Sequence, residues 1–355
     1  MERVLRPSLN WLLVFVPISL GAELFSRQPV LIFTTAALAI LPLAALIGSS
    51  TEQLAIRLGP GGGGLLNATL GNLTELIVGV LLVSAGEFTV VKATLIGSIV
   101  GNLLLVLGVS FIAGGVRHEE QKFSQKSARV HAASLFLSVA SLVIPALLIT
   151  TTPSVGFTEK EVVSTVVAAV LIVTYIAALV FTRITHAHLF RVPATDEVAT
   201  WPTSVALLVL GVAAVMVGIE SDFLVSSLDP ALKQLGIPAM FVGLIVIPII
   251  GNAAEHASAV VFALKNRADV TLEIAAGSST QIALFVAPAL VVISLLIGRP
   301  MDFIFTGFEV AIVGVSALIF TVTALDGRSN WLEGLQLTGV YVVVAVSAYF
   351  VATGV

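Results

Sequence analysis

The sequence predicts an all-α integral membrane protein of about eleven transmembrane helices, one extra N-terminal helix followed by two inverted five-helix repeats. Three observations predict it. The 355 residues are 57% hydrophobic and only 11% charged, with a mean hydropathy of +1.08, whereas a soluble domain carries roughly 25% charge. Apolar windows close to the roughly 20 residues that a helix needs to cross a bilayer recur from end to end. Two short polar motifs then repeat at one fixed offset.

The windows fall at about 8–25, 29–48, 65–86, 89–113, 128–151, 161–182, 202–221, 239–264, 270–298, 303–324 and 332–353. The first follows Arg3 and Arg6, and no small-residue cleavage site with a soluble domain behind it is present. It therefore reads as a retained span over residues 1–26 and not as a signal peptide. The connections are short. The low-complexity run Gly59-Pro60-Gly61-Gly62-Gly63-Gly64 is expected to break a helix at a membrane surface, since neither residue type propagates one well. The predicted organisation is a first repeat at 27–183, a cytoplasmic loop at 184–201 and a second repeat at 202–355.

Charge gives the sidedness. If the N-terminus lies on one side, twelve of the 17 Lys and Arg residues share that side, among them Arg117, Lys122, Lys126, Arg129, Lys265, Arg267 and Arg328. Five lie opposite: Arg27, Lys92, Lys160, Lys233 and Arg299. The positive-inside rule then puts the N-terminus in the cytoplasm and the C-terminus outside. No eukaryotic targeting signal is evident, so a microbial plasma membrane is the expected location. The absence of cysteine excludes disulfides and thiolate metal sites.

The duplication is visible in the residues themselves. Gly71-Asn72-Leu73-Thr74-Glu75 recurs as Gly251-Asn252-Ala253-Ala254-Glu255, and Gly97-Ser98 recurs as Gly277-Ser278, both at an offset of 180. A weaker echo sets Gly48, Thr51 and Glu52 against Gly218, Ser221 and Asp222 at an offset of 170. Equivalent spans are five apart, an odd number, so they cross the bilayer in opposite directions. Inverted repeats of this kind hold their substrate near the midplane, at the repeat interface.

Glu75 and Glu255 are the main candidates for metal binding, because an ionised carboxylate inside a span costs at least about 2.5 kcal/mol. Asn72 and Asn252 each precede a glutamate by three positions, which on a continuous helix places amide and carboxylate on one face. Ser98 with Asn102, and Ser278 with Gln281, add oxygens on matching faces. Two converging carboxylates with oxygen partners suit a hard cation such as calcium. His256, beside Glu255, is either a proton relay or a packed, hydrogen-bonded residue. Glu309 is expected within the tenth span as a packing partner or proton-path group. Glu52, Glu220 and Asp222 fall near span ends as solvated charges or an ion entrance. His186 and His188 are expected to be solvated in the cytoplasmic loop.

These residues resemble the calcium/proton exchanger branch of the cation/calcium exchanger superfamily. The resemblance rests on the stretch from Gly71 to Leu76 with Gly97-Ser98-Ile99-Val100-Gly101-Asn102, and on Gly251 to His256 with the run from Gly277 to Phe285. Thr51-Glu52-Gln53-Leu54-Ala55 resembles the lead-in to the first signature. The two signatures span 71–102 and 251–282.

The resemblance implies that Glu75 and Glu255 bind Ca2+ and protons in turn, with backbone carbonyls around Asn72 and Asn252 completing the shell. Ca2+ and H+ are then transported substrates, the bilayer is the partner, and neither a cofactor nor nucleic acid is expected. The sodium/calcium branch shows a Ser-Pro-Glu-like signature and a further acidic ligand, neither of which is visible here. Two readings stand beside it: sodium/calcium or other divalent exchange, and an intramembrane metal-dependent enzyme using Glu255 and His256.

Overall fold

The computed structural model describes residues 9–152, 154–186 and 199–353. Arg3 and Arg6, and the loop segment 187–198 with His188, Asp196 and Glu197, lie outside the described residues. His186 is described, and its ring stacks on Phe181 and bonds to Thr185 Oγ1 at 2.8 Å.

Twelve helices follow one another among the described residues: α1 (Leu9–Ser26), α2 (Pro29–Leu70), α3 (Leu73–Ala85), α4 (Phe88–Gly115), α5 (Gln125–Thr151), α6 (Phe157–Val180), α7 (Thr203–Leu235), α8 (Ala239–Gly251), α9 (Ala253–Leu264), α10 (Ala268–Leu296), α11 (Gly307–Thr323) and α12 (Trp331–Thr353). Eight are long and apolar enough to cross a membrane, or nine if the bent pair α8 and α9 is one span. α3 and α11 have 13 and 17 residues, so short helices occupy the third and tenth sequence windows.

The expected break in the Gly-rich run is confined to one residue. Gly59 has φ +73° and ψ −178°, and helix resumes immediately after it through Gly61 to Gly64. Only Gly59 occupies a region closed to side chains. Pro60 then sits at the start of the resumed helix, where its missing N–H is harmless and its fixed φ favours helix.

α2 packs along α7, and the two run antiparallel. The Gln53 Oε1, just before the Gly59 break in α2, accepts from the backbone N–H of Thr200 (2.7 Å) and Trp201 (3.0 Å), just before α7 begins. Arg57 also donates to the Trp201 carbonyl. Between them Leu43 and Ile47 of α2 meet Ala213 and Val217 of α7, with Leu73 and Ile77 of α3 packed on the same cluster.

The larger core is formed by α4, α8 and α10 with their neighbours; Leu103 and Leu104 on α4 and Leu284 and Leu290 on α10 are fully buried. On one side of the bundle the α4–α5 and α11–α12 connections are tied together. A two-residue antiparallel pair joins Gln121 to Ser329 and Lys122 to Arg328, and Arg328 donates to Glu120 at 2.7 Å. That hydrogen bond, with the Lys122 and Arg328 charges, holds the Glu120 carboxyl below the usual range.

Candidate functional site

Both halves break at the asparagine of their motif. Asn72 (φ −103°, ψ 32°) separates the end of α2 from α3, and Asn252 (φ −92°, ψ 14°) separates α8 from α9. The axes of α8 and α9 differ by 60°. The sequence reading of one continuous helix carrying Asn and Glu on a shared face is therefore corrected: each Asn precedes a new helix. Glu75 and Glu255 fall in the first turns of α3 and α9. Unpaired N–H groups and the positive end of the helix dipole gather at such a start, which favours negative charge there.

The reason the helices break there is a polar chain that crosses between the halves. Asn72 Nδ2 donates to Gln281 Oε1 at 2.6 Å, and Ser278 Oγ donates to Asn72 Oδ1 at 2.8 Å. Asn102 Nδ2 then reaches Ser278 Oγ at 3.1 Å and Asn252 Oδ1 at 3.5 Å. Asn252 Nδ2 closes the chain on Ser98 Oγ at 3.1 Å and on the Pro248 carbonyl at 2.9 Å. Each asparagine thus bonds to the partner motif of the opposite half. Asn72, Ser98, Asn102, Asn252 and Ser278 are all buried, and inside a low-dielectric core such a network is costly to break once its members are paired.

The side-chain oxygens of Asn72 and Asn252 each accept one bond within the network, from Ser278 and Asn102. Their backbone carbonyls accept from Leu76 N–H (3.1 Å) and His256 N–H (3.0 Å), and each carbonyl retains a second lone pair.

Glu75 is different. It is only 6% exposed, and neither carboxyl oxygen has a hydrogen-bond partner among the described residues. Its carboxyl lies over Gly251 of the opposite motif, 3.8 Å from where a Cβ would stand. The Glu255 charge is close enough to act on it. Glu255 itself is half-buried. No group of three or more His, Asp or Glu side chains able to hold a metal occurs among the described residues, so the acidic set here is this pair. What the arrangement can do is accept a hard cation or protons, since a buried carboxylate without a hydrogen-bond partner or counter-charge, next to a second carboxylate, is strongly disfavoured.

The remaining candidates separate. Ser98, Asn102, Ser278 and Gln281 join the network. His256 is half-buried on α9, and Glu52 and Asp222 are exposed. Glu220 is corrected from a span-end charge to a side chain 1% exposed in the middle of α7, accepting from Ser19 Oγ of α1 at 2.7 Å. The sequence window ended at 221, while the helix runs on to Leu235. Glu309, expected within the tenth span, lies in the first turn of α11 as part of its cap: its Oε2 accepts from Thr306 N and Oγ1 at 2.8 Å each, and its own N–H donates to Thr306 Oγ1.

Two features were missed. Gly97 lets α4 press against α8: a Cβ there would lie 2.0 Å from the Leu244 carbonyl oxygen and 2.7 Å from Pro248 Cγ. On α10, Glu273 accepts from Ser127, and His131 lies 3.3 Å from Glu273 Oε2 and 3.2 Å from Thr280 Oγ1. Neither carries a motif. Outside the spans, burial and then the Asp229 charge hold the Glu87 carboxyl above its usual range.

Comparison with known proteins agrees with this geometry. The profile of the sodium/calcium exchanger protein family matches residues 28–183 and 204–350. The Ca(2+)/H(+) antiporter of Aphanothece halophytica is 44% identical, over 96% of this chain and 95% of that protein. The Ca(2+)/H(+) antiporter ChaA of Bacillus subtilis (strain 168) is 37% identical, over 94% of this chain and 96% of that protein. A solved structure of native YfkE superposes with a TM-score of 0.85 at 35% identity, covering 97% of this chain and 100% of that one.

Proposed function

This chain belongs to the sodium/calcium exchanger protein family, and from that premise we propose that it is a secondary antiporter exchanging Ca2+ for H+ across its membrane. The observation that carries the reading is Glu75: a carboxyl inside the membrane with no hydrogen-bond partner, set over Gly251 and within reach of the Glu255 charge. The names of the relatives support the choice of ions.

Glu75 and Glu255 bind the cation in this reading, and the carbonyls of Asn72 and Asn252 offer it their second lone pairs. Asn102, Ser98, Ser278 and Gln281 hold the two helix breaks in register. Two like charges in a low-dielectric site disfavour the doubly ionised empty state. Protons or Ca2+ must therefore be present, and each displaces the other. If only a neutralised site permits the repeats, 27–183 and 202–355, to rock between inward and outward states, the exchange is coupled.

The positive residues support an N-terminus in the cytoplasm and a C-terminus outside, in a microbial plasma membrane. The protein moves its substrates without converting them, so no catalytic residue is assigned. The family also handles sodium, as its description says. The deciding experiment is Ca2+ flux into proteoliposomes under an imposed pH gradient, with and without sodium. Proton-driven, sodium-independent uptake is expected; uptake that follows only a sodium gradient overturns the choice of counter-ion.

A further inference from the structure

Many buried hydroxyls on these helices return their proton to a carbonyl one turn back. Ser50 bonds to Leu46 O, Ser138 to Ser134 O, Ser164 to Lys160 O and Ser316 to Ile312 O, all at 2.6 to 2.9 Å. Among the described helical residues, Thr51, Thr94, Ser110 and Ser221 are the fully shielded exceptions with no partner at all. Two of these, Thr51 and Ser221, are the counterparts of the weaker sequence echo, 170 residues apart. Both are 0% exposed. A buried hydroxyl that forgoes both solvent and backbone is unfavourable, and the same departure occurs at the same place in each half.

Their setting says what they face. Thr51 lies four residues beyond Ile47, and Ser221 four beyond Val217, so each continues the face that α2 and α7 turn toward each other. That face is level with the carboxylates. Leu73, two residues before Glu75, packs on the Ile47 and Val217 cluster, and a Cβ on Gly48 would stand 3.8 Å from Ala254 Cβ, the neighbour of Glu255. Because α2 and α7 are antiparallel, the hydroxyls depart from the cluster in opposite directions, each by about 6 Å along its helix. Thr51 lies toward Trp201, Ser221 toward the opposite membrane face.

We propose that the Thr51 and Ser221 hydroxyls are transit ligands for the divalent cation, one on each side of the glutamate pair. Each replaces part of the cation's water shell between one membrane face and the carboxylates. A neutral hydroxyl oxygen suits this step: it coordinates a hard cation and, lacking charge, does not trap it. The inference rests on the antiporter reading and adds a specificity-determining residue for each face.

The test uses Thr51→Val and Ser221→Ala, with Thr51→Ser and Ser221→Thr as variants that keep the hydroxyl. Ca2+ uptake is measured in everted and in right-side-out membrane vesicles, so that each face is the loading side once. Thr51→Val is expected to raise KM about fivefold, the value of one lost neutral ligand, at the face nearer Trp201. Ser221→Ala should do so at the other face, and the hydroxyl-keeping variants at neither. A merely structural hydroxyl predicts otherwise: because no hydrogen bond is lost, thermal stability and both KM values would stay at wild-type levels, and that result overturns the inference alone. Wild-type vesicles without any proton-driven Ca2+ flux overturn the antiporter reading and this inference with it.

Discussion

Asn72 donates to Gln281 across 209 positions of sequence at 2.6 Å, and its own carbonyl oxygen accepts from Ser278 at 2.8 Å. The break in the first half is therefore held open by the second half. Asn72→Leu removes the donor to Gln281 and the acceptor of the Ser278 hydroxyl, and should lower stability by about 1–3 kcal/mol. Thermal unfolding of the purified protein in detergent checks this. An unchanged melting temperature would mean that the network does not hold the break.

Glu75→Gln and Glu255→Gln keep size and polarity but can neither take up a proton nor neutralise a cation. Each is expected to abolish pH-driven 45Ca2+ uptake while the protein still inserts. Rates near wild type in either variant would refute the placement of the cation.

Gly97 and Gly277 occupy matched positions in the two halves, yet only one has room for a side chain. At Gly97 the added methyl meets backbone at 2.0 Å; at Gly277 the nearest atom is His131 Cε1 at 3.8 Å. Gly97→Ala should destabilise the protein by about 1–3 kcal/mol through overpacking, whereas Gly277→Ala should be tolerated. Expression level and melting temperature of the two variants, side by side, decide the matter.

Glu87 gives a pH signature. Its folded-state pKa lies above the ordinary value because of burial and the nearby Asp229, so folding disfavours its ionised form. At pH below the ordinary carboxylate range the group is neutral in both states and contributes no difference. The penalty grows as pH rises above the ordinary value and is complete above the folded-state pKa. Glu87→Gln should therefore stabilise the protein at neutral pH, and the gain should fade on acidification. A gain independent of pH would assign it to packing instead.

Glu309 and Thr306 form a reciprocal cap at the start of α11. Glutamine can serve in the same motif, so Glu309→Gln should retain both stability and transport, while Glu309→Ala should cost about 1 kcal/mol. Loss of transport in the Gln variant, with stability intact, would restore a proton-path role.

Much of this was legible in the sequence for a simple reason. Hydrophobic windows report the solvent, and lipid imposes helices of a set length. A duplication is a comparison of the chain with itself and needs no structure. Hence the membrane class, the two motifs and the pairing of Glu75 with Glu255 as candidates were all readable. The windows misplaced Glu220 because hydropathy follows the apolar segment and not the helix, which runs past it in α7. His131 and Glu273 lie on different helices, and no local pattern links them.

What the sequence determined by itself is the chemistry available: two carboxylates, four amides and paired hydroxyls, repeated in two halves. What only the tertiary structure decided is which of these are spent on each other. Asn72 and Asn252 look like ligands beside their glutamates, but their side chains bond to Gln281, Ser278, Asn102 and Ser98, and this leaves the Glu75 oxygens without a partner. Likewise, two identical Gly-Ser pairs differ because one helix touches backbone where the other touches the edge of a ring. Hydrogen bonds and close packing are made between segments far apart in the chain, with distances set by how whole helices cross, and no periodicity along one segment encodes that crossing.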